Sequence, residues 1–182
     1  MISNVEINKD VKLSQHFTLG ELCKTSVKTA DGNIPSHVHI ENLKRVCNWL
    51  EELRLRCNQM RNERNEGNER NENEEMRNEP PQVDVCGTET PIIINSGYRS
   101  AEVNKAVGGA PGSNHLTGCA VDIRCKGIEQ AIRYAFILLD IADESQEEFD
   151  ELLIEKSSKS IWVHFAVRPS ENRHRVDFLN KK

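Results

Sequence analysis

The chain has 182 residues, a length that favours one moderate hydrophobic core over two very small ones. Its net charge of −5 is uneven, because the tract 58–79 carries four Arg and seven Glu and leaves the rest of the chain at −2. A nearly neutral ordered part lacks the basic stripe of a nucleic-acid binder, so we expect no nucleic-acid partner. The sequence contains no apolar stretch of the length that a membrane span needs.

The N-terminus and the cysteines indicate the compartment. The start M-I-S-N-V-E-I-N-K-D has no basic residues followed by an apolar run, which predicts no signal peptide and therefore synthesis in the cytoplasm. Any export would then need another route. The six cysteines show no C-x-x-C pair and no regular spacing, which favours scattered, partly buried, reduced thiols over a disulfide framework.

The first half of the chain is predicted to be mainly helical. The segment T-L-G-E at 18–21 has the form of a capping box and predicts a short helix. Residues 39–57 place apolar side chains at three-and-four spacing, which predicts a core-facing amphipathic helix. A low-complexity Arg/Asn/Glu-rich insertion at about 58–82 continues this helix without an apolar face. It is therefore either a frayed, solvated extension or a disordered insertion.

The second half mixes strands and helices. Strands are predicted at 91–96 and 120–124, with a short helix at 100–107 and an irregular loop at 108–114 between them. A second main helix is predicted over 127–142, with one broad apolar face formed by Ile128, Ala131, Ile132, Ala135, Leu138, Leu139 and Ala142. Residues 151–155 and 160–167 then form a predicted antiparallel hairpin. Elements that do not alternate regularly predict one α+β domain, 1–182, with a small, mostly antiparallel sheet packed against helices.

Three residues in this half are candidate metal ligands. Asp122 lies between Val121 and Ile123 in a predicted strand, so alternation places the carboxylate on the face opposite those two apolar residues. His164 is similarly flanked by apolar residues, and a buried polar group is costly without a partner. His115 precedes Asp122 by a short loop. Two imidazoles and one carboxylate suit a hydrolytic zinc site with an open fourth position; the alternative is a structural Asp with two hydrogen-bonded histidines.

The spacing of these residues resembles a known family. The motif S-x-H-x-x-G-x-A-x-D at 113–122, preceded by S-G-Y-R-S at 96–100 and followed by W-V-H at 162–164, is similar to that of the peptidase M15 family. Its members include zinc D-Ala-D-Ala carboxypeptidases, related dipeptidases and phage endolysins that cut peptidoglycan stem peptides. The resemblance implies one zinc ion per chain on the sheet, held by His115, Asp122 and His164. It also implies that Arg99 steadies the substrate carbonyl and that Ser113 contacts substrate.

The sequence lacks an acidic residue at the position where many family members have their general base. Many family members carry an acidic residue three positions before the last histidine, where this chain has Ile161. We expect Glu155 to act instead, facing His164 across the hairpin; an exposed turn carboxylate is the alternative. Tyr98 and Trp162 are predicted to be core or pocket-wall aromatics, and either can contact substrate. For Arg99, the alternative to a contact with the substrate carbonyl is an ion pair with an acidic neighbour.

Three functions follow from these residues. The first is a monomeric zinc peptidase of peptidoglycan, acting as a carboxypeptidase or an endolysin. It would reach the cell wall by a phage-type lysis or delivery route. The second, suggested by Ile161, is a non-catalytic zinc-containing relative that binds wall peptides or a protein partner. The third is a cytosolic peptidase acting on dipeptides from wall recycling.

Overall fold

The computed structural model describes residues 8, 10–71 and 91–181, and for residues 63–71 it describes the backbone alone. Helices α1 (Leu19–Leu22) and α2 (His37–Asn71) come first. The later elements are β1 (Ile94–Ser96), α3 (Ala101–Ala106), a 3-10 helix (Asn114–Thr117), β2 (Ala120–Cys125), α4 (Ile128–Ser145), β3 (Glu151–Lys156), β4 (Ile161–Ala166) and β5 (Arg175–Asn180). The predicted α+β class is confirmed.

In the described part of the chain the strands form one five-stranded sheet in the order β1-β2-β4-β3-β5. Each pairing is antiparallel except that of β3 with β5, which is parallel. The β3–β4 hairpin closes through a four-residue turn at 157–160, where Ser157 N donates to Ser160 O. This turn fixes the register, in which Leu153 lies opposite His164.

Strand alternation gives the sheet an apolar face and a polar face. Ile123 of β2 and Val163 and Phe165 of β4 are fully buried in the core, where α2 and α4 pack against the sheet. Trp49 of α2 packs on Phe165, with ring centroids 5.1 Å apart. The opposite face presents Asp122 and the polar residues of β3 and β4. The apolar face therefore stabilises the platform on which the polar face is built.

The helical predictions are confirmed in most respects. Thr18 and Glu21 form the expected capping box, with Glu21 N donating to Thr18 Oγ1 and Thr18 N donating to Glu21 Oε2. The predicted apolar face of 39–57 is buried. Helix α2 continues to Asn71, so the first part of the Arg/Asn/Glu tract extends it; positions 72–82 of the predicted insertion lie outside the described residues.

The buried face of α4 agrees with the predicted one in part. Of the predicted residues, Ala131, Ala135, Leu138 and Ala142 are buried and Leu139 is partly buried. Ile128 and Ile132, however, are 43% and 42% exposed, whereas Tyr134, Ile137 and Ile141 are buried. Both sets follow helical spacing, so the spacing alone does not select between them. Strand β5 is absent from the sequence predictions, since its R-V-D-F-L-N sequence is mostly exposed at the sheet edge.

The described cysteines fit the prediction of buried thiols. Cys23, Cys47, Cys119 and Cys125 are buried and form no disulfide, while Cys86 lies outside the described residues. Burial raises the pKa of the Cys23, Cys47 and Cys125 thiols to about 12, which makes them poor nucleophiles. In the described ranges, none of the helices has both the length and the apolar character required to cross a bilayer.

Candidate metal centre

Two of the predicted ligands lie on adjacent strands in the middle of the sheet. The register pairs Asp122 of β2 directly with His164 of β4, so both side chains leave the polar face side by side. Asp122 Oδ1 lies 2.9 Å from His164 Nδ1. The flanking Val121 and Ile123 are fully buried on the other face, as alternation predicts.

The 3-10 helix positions the third ligand, His115. Ser113 caps this helix, and its Oγ accepts a hydrogen bond from His115 N at 3.3 Å. Gly118 ends the helix with φ +72°, and a Cβ there would lie 2.6 Å from the carbonyl oxygen of His39. Glycine therefore satisfies both the backbone angle and the close approach. This turn returns the chain over β2, where His115 Nε2 lies 3.2 Å from Asp122 Oδ1.

The three side chains converge closely enough to hold one metal ion. One ligand atom from each lies within 4.8 Å of the others. His115, Asp122 and His164 are all buried, with 2–8% of their surface exposed. Their nitrogen and carboxylate donors form a set that zinc accepts readily. Within the described residues, the structure thus brings together the ligand set that the sequence predicted.

The hydrogen-bond partners of His115 test whether a cation fits between this ring and Asp122. His115 Nδ1 lies 2.6 Å from the carbonyl oxygen of Gly97, which can only accept, so Nδ1 carries a proton. In the neutral ring, Nε2 then directs a lone pair at the Asp122 carboxylate. Two acceptors at 3.2 Å repel each other unless a proton or a metal ion lies between them. A cation at the cluster therefore fits this geometry.

His164 lies between two acceptors as well. Its Nδ1 faces Asp122, and its Nε2 lies 3.5 Å from Glu151 Oε2. A neutral imidazole has only one N–H, so it can satisfy one of these carboxylates and must present a lone pair to the other. A metal ion next to Nδ1 removes this conflict, because the ring can then keep its proton on Nε2.

Hydrogen bonds and nearby charges shift the pKa values of the Asp122 carboxyl and the His164 imidazole. Burial opposes ionisation of Asp122, but the charge of His115 and hydrogen bonds from both histidines outweigh it and hold the pKa of Asp122 well below its usual range. Burial also lowers the pKa of His164, and its hydrogen bonds to Asp122 and Glu151 reverse this and raise the pKa to about 9. When no metal is bound, the His164 imidazolium therefore balances the carboxylates at neutral pH.

Arg99 borders the cluster from the loop between β1 and α3. Its Nη2 donates to Asp122 Oδ2, and its Nε donates to Ser96 Oγ at 2.8 Å. Its backbone N donates to the carbonyl oxygen of His115 at 3.0 Å. Arg99 thus has the acidic partner that the sequence left as an alternative, and this partner is itself a candidate ligand. The arrangement holds one oxygen of Asp122 and leaves the other oriented to the histidines.

A cavity of about 770 Å³ opens over the cluster, a volume that suits a peptide fragment. Its lining includes seven of the eight predicted site residues: Arg99, Ser113, His115, Asp122, Glu155, Trp162 and His164. Tyr98 is not among them. It is 7% exposed and stacks on His39 with centroids 4.7 Å apart, which is the core role that the sequence also suggested. A substrate contact by Tyr98 stays a prediction.

Glu155 lines the cavity but does not lie where the hairpin was expected to place it. It pairs across the sheet with Trp162, whereas Leu153 lies opposite His164, because the turn at 157–160 sets this register. The Glu155 side chain is buried, and its Oε1 forms an ion pair with Lys181 Nζ at 2.8 Å. Glu155 nevertheless shares the face of His164, so a role as general base stays a prediction.

Sequence reasoning missed the polar network behind His164. Glu151 lies on the same face of β3 as Leu153 and Glu155, and Asn114 Nδ2 donates to Glu151 at 3.0 Å and to the buried Asp150 at 2.7 Å. Alternation along E-L-L-I-E could have revealed Glu151, because residues 151, 153 and 155 must share one face. Nothing in the sequence distinguishes Asn114 from an ordinary loop residue.

Comparison with protein families gives a match over the region that holds the site. A family model described as Peptidase M15 matches residues 50–164, which is more than half of the chain and includes every predicted site residue. The match ends at His164, the last candidate ligand. No curated protein matches the chain significantly.

Proposed function

This chain belongs to the peptidase M15 family, and on that premise we propose that it is a zinc-dependent peptidase of peptidoglycan stem peptides. The family supports a peptidase, and the finer assignment is to a D-Ala-D-Ala carboxypeptidase or an endolysin-type enzyme. The observation that carries the proposal is the convergence of His115, Asp122 and His164 at the floor of an open cavity. An ion bound there would be held by three protein ligands on one side and remain accessible to substrate on the other.

Zinc in such a site supplies a Lewis acid and lowers the pKa of a water molecule to near 7. The protein's own contribution is to hold the ligands without rearrangement. Asp122 and His164 lie on paired central strands, and the 3-10 helix that carries His115 is capped at both ends. Rigid elements of this kind keep a site preorganised, which is the main source of electrostatic catalysis.

Arg99 is the proposed cation for the developing oxyanion. Its Nε and Nη2 are engaged by Ser96 and Asp122, which fixes the plane of the guanidinium at the cavity wall. Among the described residues none accepts a hydrogen bond from Nη1, so its N–H groups can serve the substrate carbonyl oxygen. A fixed guanidinium at the oxyanion costs no reorganisation when charge develops there.

Glu155 is the proposed general base. The position that is acidic in many relatives is Ile161, and in this structure its side chain belongs to the core, because it lies on the opposite face of β4 from His164. A carboxylate at 161 would therefore point away from the metal ligands. Glu155 lies on the correct face and lines the cavity, so its carboxylate is placed where a general base has to act.

Substrate contacts are assigned to the cavity walls. Trp162 is partly exposed between Glu155 and Arg124, where its ring offers an apolar wall for a side chain such as that of alanine. Ser113 lies beside His115 at the rim, although its Oγ also caps the 3-10 helix. We assign the functional unit to a monomer, since one chain supplies every proposed ligand.

The decisive experiment is digestion of purified peptidoglycan by the zinc-loaded protein, with the products identified by mass spectrometry. Release of D-alanine supports a carboxypeptidase, and release of stem-peptide fragments supports an endolysin-type cut. Glu155→Gln should reduce turnover by about 10²- to 10⁴-fold while zinc content stays unchanged. Full activity in Glu155→Gln would remove the base assignment but leave the enzyme class. Zinc binding without hydrolysis would instead favour the non-catalytic relative.

A further inference from the structure

We infer that Glu151 is a positioning residue of the metal centre, which accepts the Nε2–H of His164 and thereby directs the Nδ1 lone pair of that ring to the metal ion. The inference rests on the proposed function, because it needs the metal site. It concerns a residue that the family resemblance did not single out.

The sheet register places Glu151 diagonally behind His164. Leu153 lies directly opposite His164, and Glu151 is two residues away on the same face of β3. Diagonal neighbours on paired strands remain within reach of long side chains. Glu151 Oε2 lies 3.5 Å from His164 Nε2, and the Glu151 side chain is only 13% exposed. The carboxylate therefore faces the ring nitrogen that points away from the cluster.

When a metal ion takes the place of the proton at Nδ1, this contact provides the acceptor for a proton on Nε2 of His164. A carboxylate can only accept, so it favours the tautomer with the proton on Nε2. The same tautomer leaves the lone pair on Nδ1, which is the nitrogen that lies 2.9 Å from Asp122 Oδ1 at the centre of the cluster. Metal-ligating histidines generally donate their second N–H to such an acceptor, which fixes the ring and raises its basicity as a ligand.

The other histidine has the same arrangement. His115 Nδ1 lies 2.6 Å from the carbonyl oxygen of Gly97, and His115 Nε2 faces Asp122. Each imidazole thus has an acceptor on its outer nitrogen and the shared carboxylate on its inner one. For His115 the acceptor is backbone and cannot be changed by substitution, whereas for His164 it is the Glu151 side chain.

Glu151 is itself held in place by several donors. Asn114 Nδ2 donates to its Oε2 at 3.0 Å, and Arg173 and Arg175 approach its Oε1 at 3.1 and 3.3 Å. Asn114 is the residue before His115, so the same network joins the helix carrying one ligand to the carboxylate orienting the other. Because both oxygens of Glu151 are engaged, we assign it to orientation, and leave proton transfer to Glu155.

The first test is the zinc affinity of Glu151 variants, measured by competition with a chromophoric chelator. Glu151→Met keeps the length of the side chain but removes the acceptor, and the dissociation constant for zinc should rise by about 10- to 100-fold. Glu151→Gln retains an amide oxygen and should recover most of this loss. Glu148→Met removes an exposed carboxylate just before β3 and serves as the matched control, with unchanged affinity. Wild-type affinity in Glu151→Met would overturn the inference.

The second test reads the proton position in the wild-type protein, and a variant serves only to assign the signal. In zinc-loaded, ¹⁵N-histidine-labelled protein, long-range proton–nitrogen correlation should show a proton on Nε2 of His164, with the signal assigned by its loss in His164→Gln. A proton on Nδ1 would overturn the inference even if zinc is bound. Failure of the wild-type protein to bind zinc would remove the proposed function itself, so the two failures are distinguishable.

Discussion

Asp122 and His164 are direct cross-strand partners on β2 and β4, and the contact between Asp122 Oδ1 and His164 Nδ1 is 2.9 Å long. The backbone register of the sheet, rather than a flexible loop, therefore sets the separation of these two groups. Any shift of β4 by one residue would move His164 to the core face and abolish the cluster. The stability of the apolar face and the geometry of the metal site are consequently linked.

The first prediction concerns metal content. Wild-type protein dialysed against zinc should retain about one ion per chain, and His115→Ala or His164→Ala should lose it, because each removes one of three ligands. Zinc should also raise the melting temperature of the wild-type protein and not that of these variants. His37→Ala, whose side chain is 85% exposed, is the control and should behave as wild type. Equal zinc content in all four proteins, measured by elemental analysis, would contradict the assignment.

The second prediction concerns pH. In chelator-treated protein the pKa of His164 is raised to about 9 from 6.5, so its imidazolium stabilises the fold fully below pH 6.5. This contribution, on the order of 3 kcal/mol at about 1.4 kcal/mol per pKa unit, should be lost as the pH rises to 9. Urea unfolding between pH 6 and 10 measures it.

With zinc bound, the same histidine is already deprotonated, so it should contribute no such decline between pH 6.5 and 9. The stabilisation by zinc should therefore grow as the pH rises through this range. If the stabilisation by zinc did not depend on pH, the metal would not displace a proton from His164.

The third prediction concerns the role of Arg99 in catalysis, tested against another arginine near the polar face of the sheet. Arg99→Lys should lower kcat/KM for a stem peptide by about 10²- to 10³-fold, the usual cost of losing one oxyanion donor, because Lys cannot bind Asp122 and substrate with one rigid fork. Zinc content should remain near one. Arg124→Lys, an exposed residue two positions after Asp122 on β2, is the matched control and should retain activity. If both variants are fully active, Arg99 has no catalytic role.

The fourth prediction concerns the turn that carries His115. Gly118→Ala introduces a Cβ 2.6 Å from the His39 carbonyl oxygen and also forces alanine to a φ of +72°. Gly108→Ala has the same backbone penalty, at φ +71°, but its Cβ has no neighbour within 4 Å. Gly108→Ala should cost about 1–2 kcal/mol of unfolding free energy, and Gly118→Ala should cost clearly more.

Gly118→Ala should also weaken zinc binding, since the displaced helix carries His115, whereas Gly108→Ala should not. Chemical denaturation and zinc competition on the same samples measure both effects. Equal destabilisation by the two substitutions would mean that the backbone near His39 moves freely to accept the methyl group.

Local patterns predicted the parts of the fold that depend on local physics. The capping box at Thr18, the apolar stripe of α2 and the alternation around Asp122 each concern neighbours along the chain. The buried face of α4 and the strand β5 depend on what packs against them. Ile128 and Ile132 carry the same apolar signal as the buried residues, and only the position of the helix on the sheet exposes them.

The candidate site also contains residues that the sequence could predict and residues that it could not. Its ligands could be found because their spacing is a recognisable motif, and the model of the family covers them. The residues that orient the ligands depend on hairpin register: Glu151 and Glu155 lie equally far from Leu153 along β3, so alternation alone cannot tell which one approaches His164. The pairing of Asn114 with Asp150 and Glu151 joins the 3-10 helix to the start of β3, which is distant in sequence, and no local pattern encodes it.

The antiparallel pairing of β2 with β4 has a kinetic consequence. Asp122 and His164 are 42 positions apart and are separated by the whole of α4, so a denatured chain offers zinc no compact segment that carries all three ligands. The ion cannot nucleate this architecture as it does in a short finger module; it can only be captured once the centre of the sheet has assembled. Stopped-flow detection of zinc uptake during refolding should therefore follow the slowest assembly phase and its rate should not depend on zinc concentration.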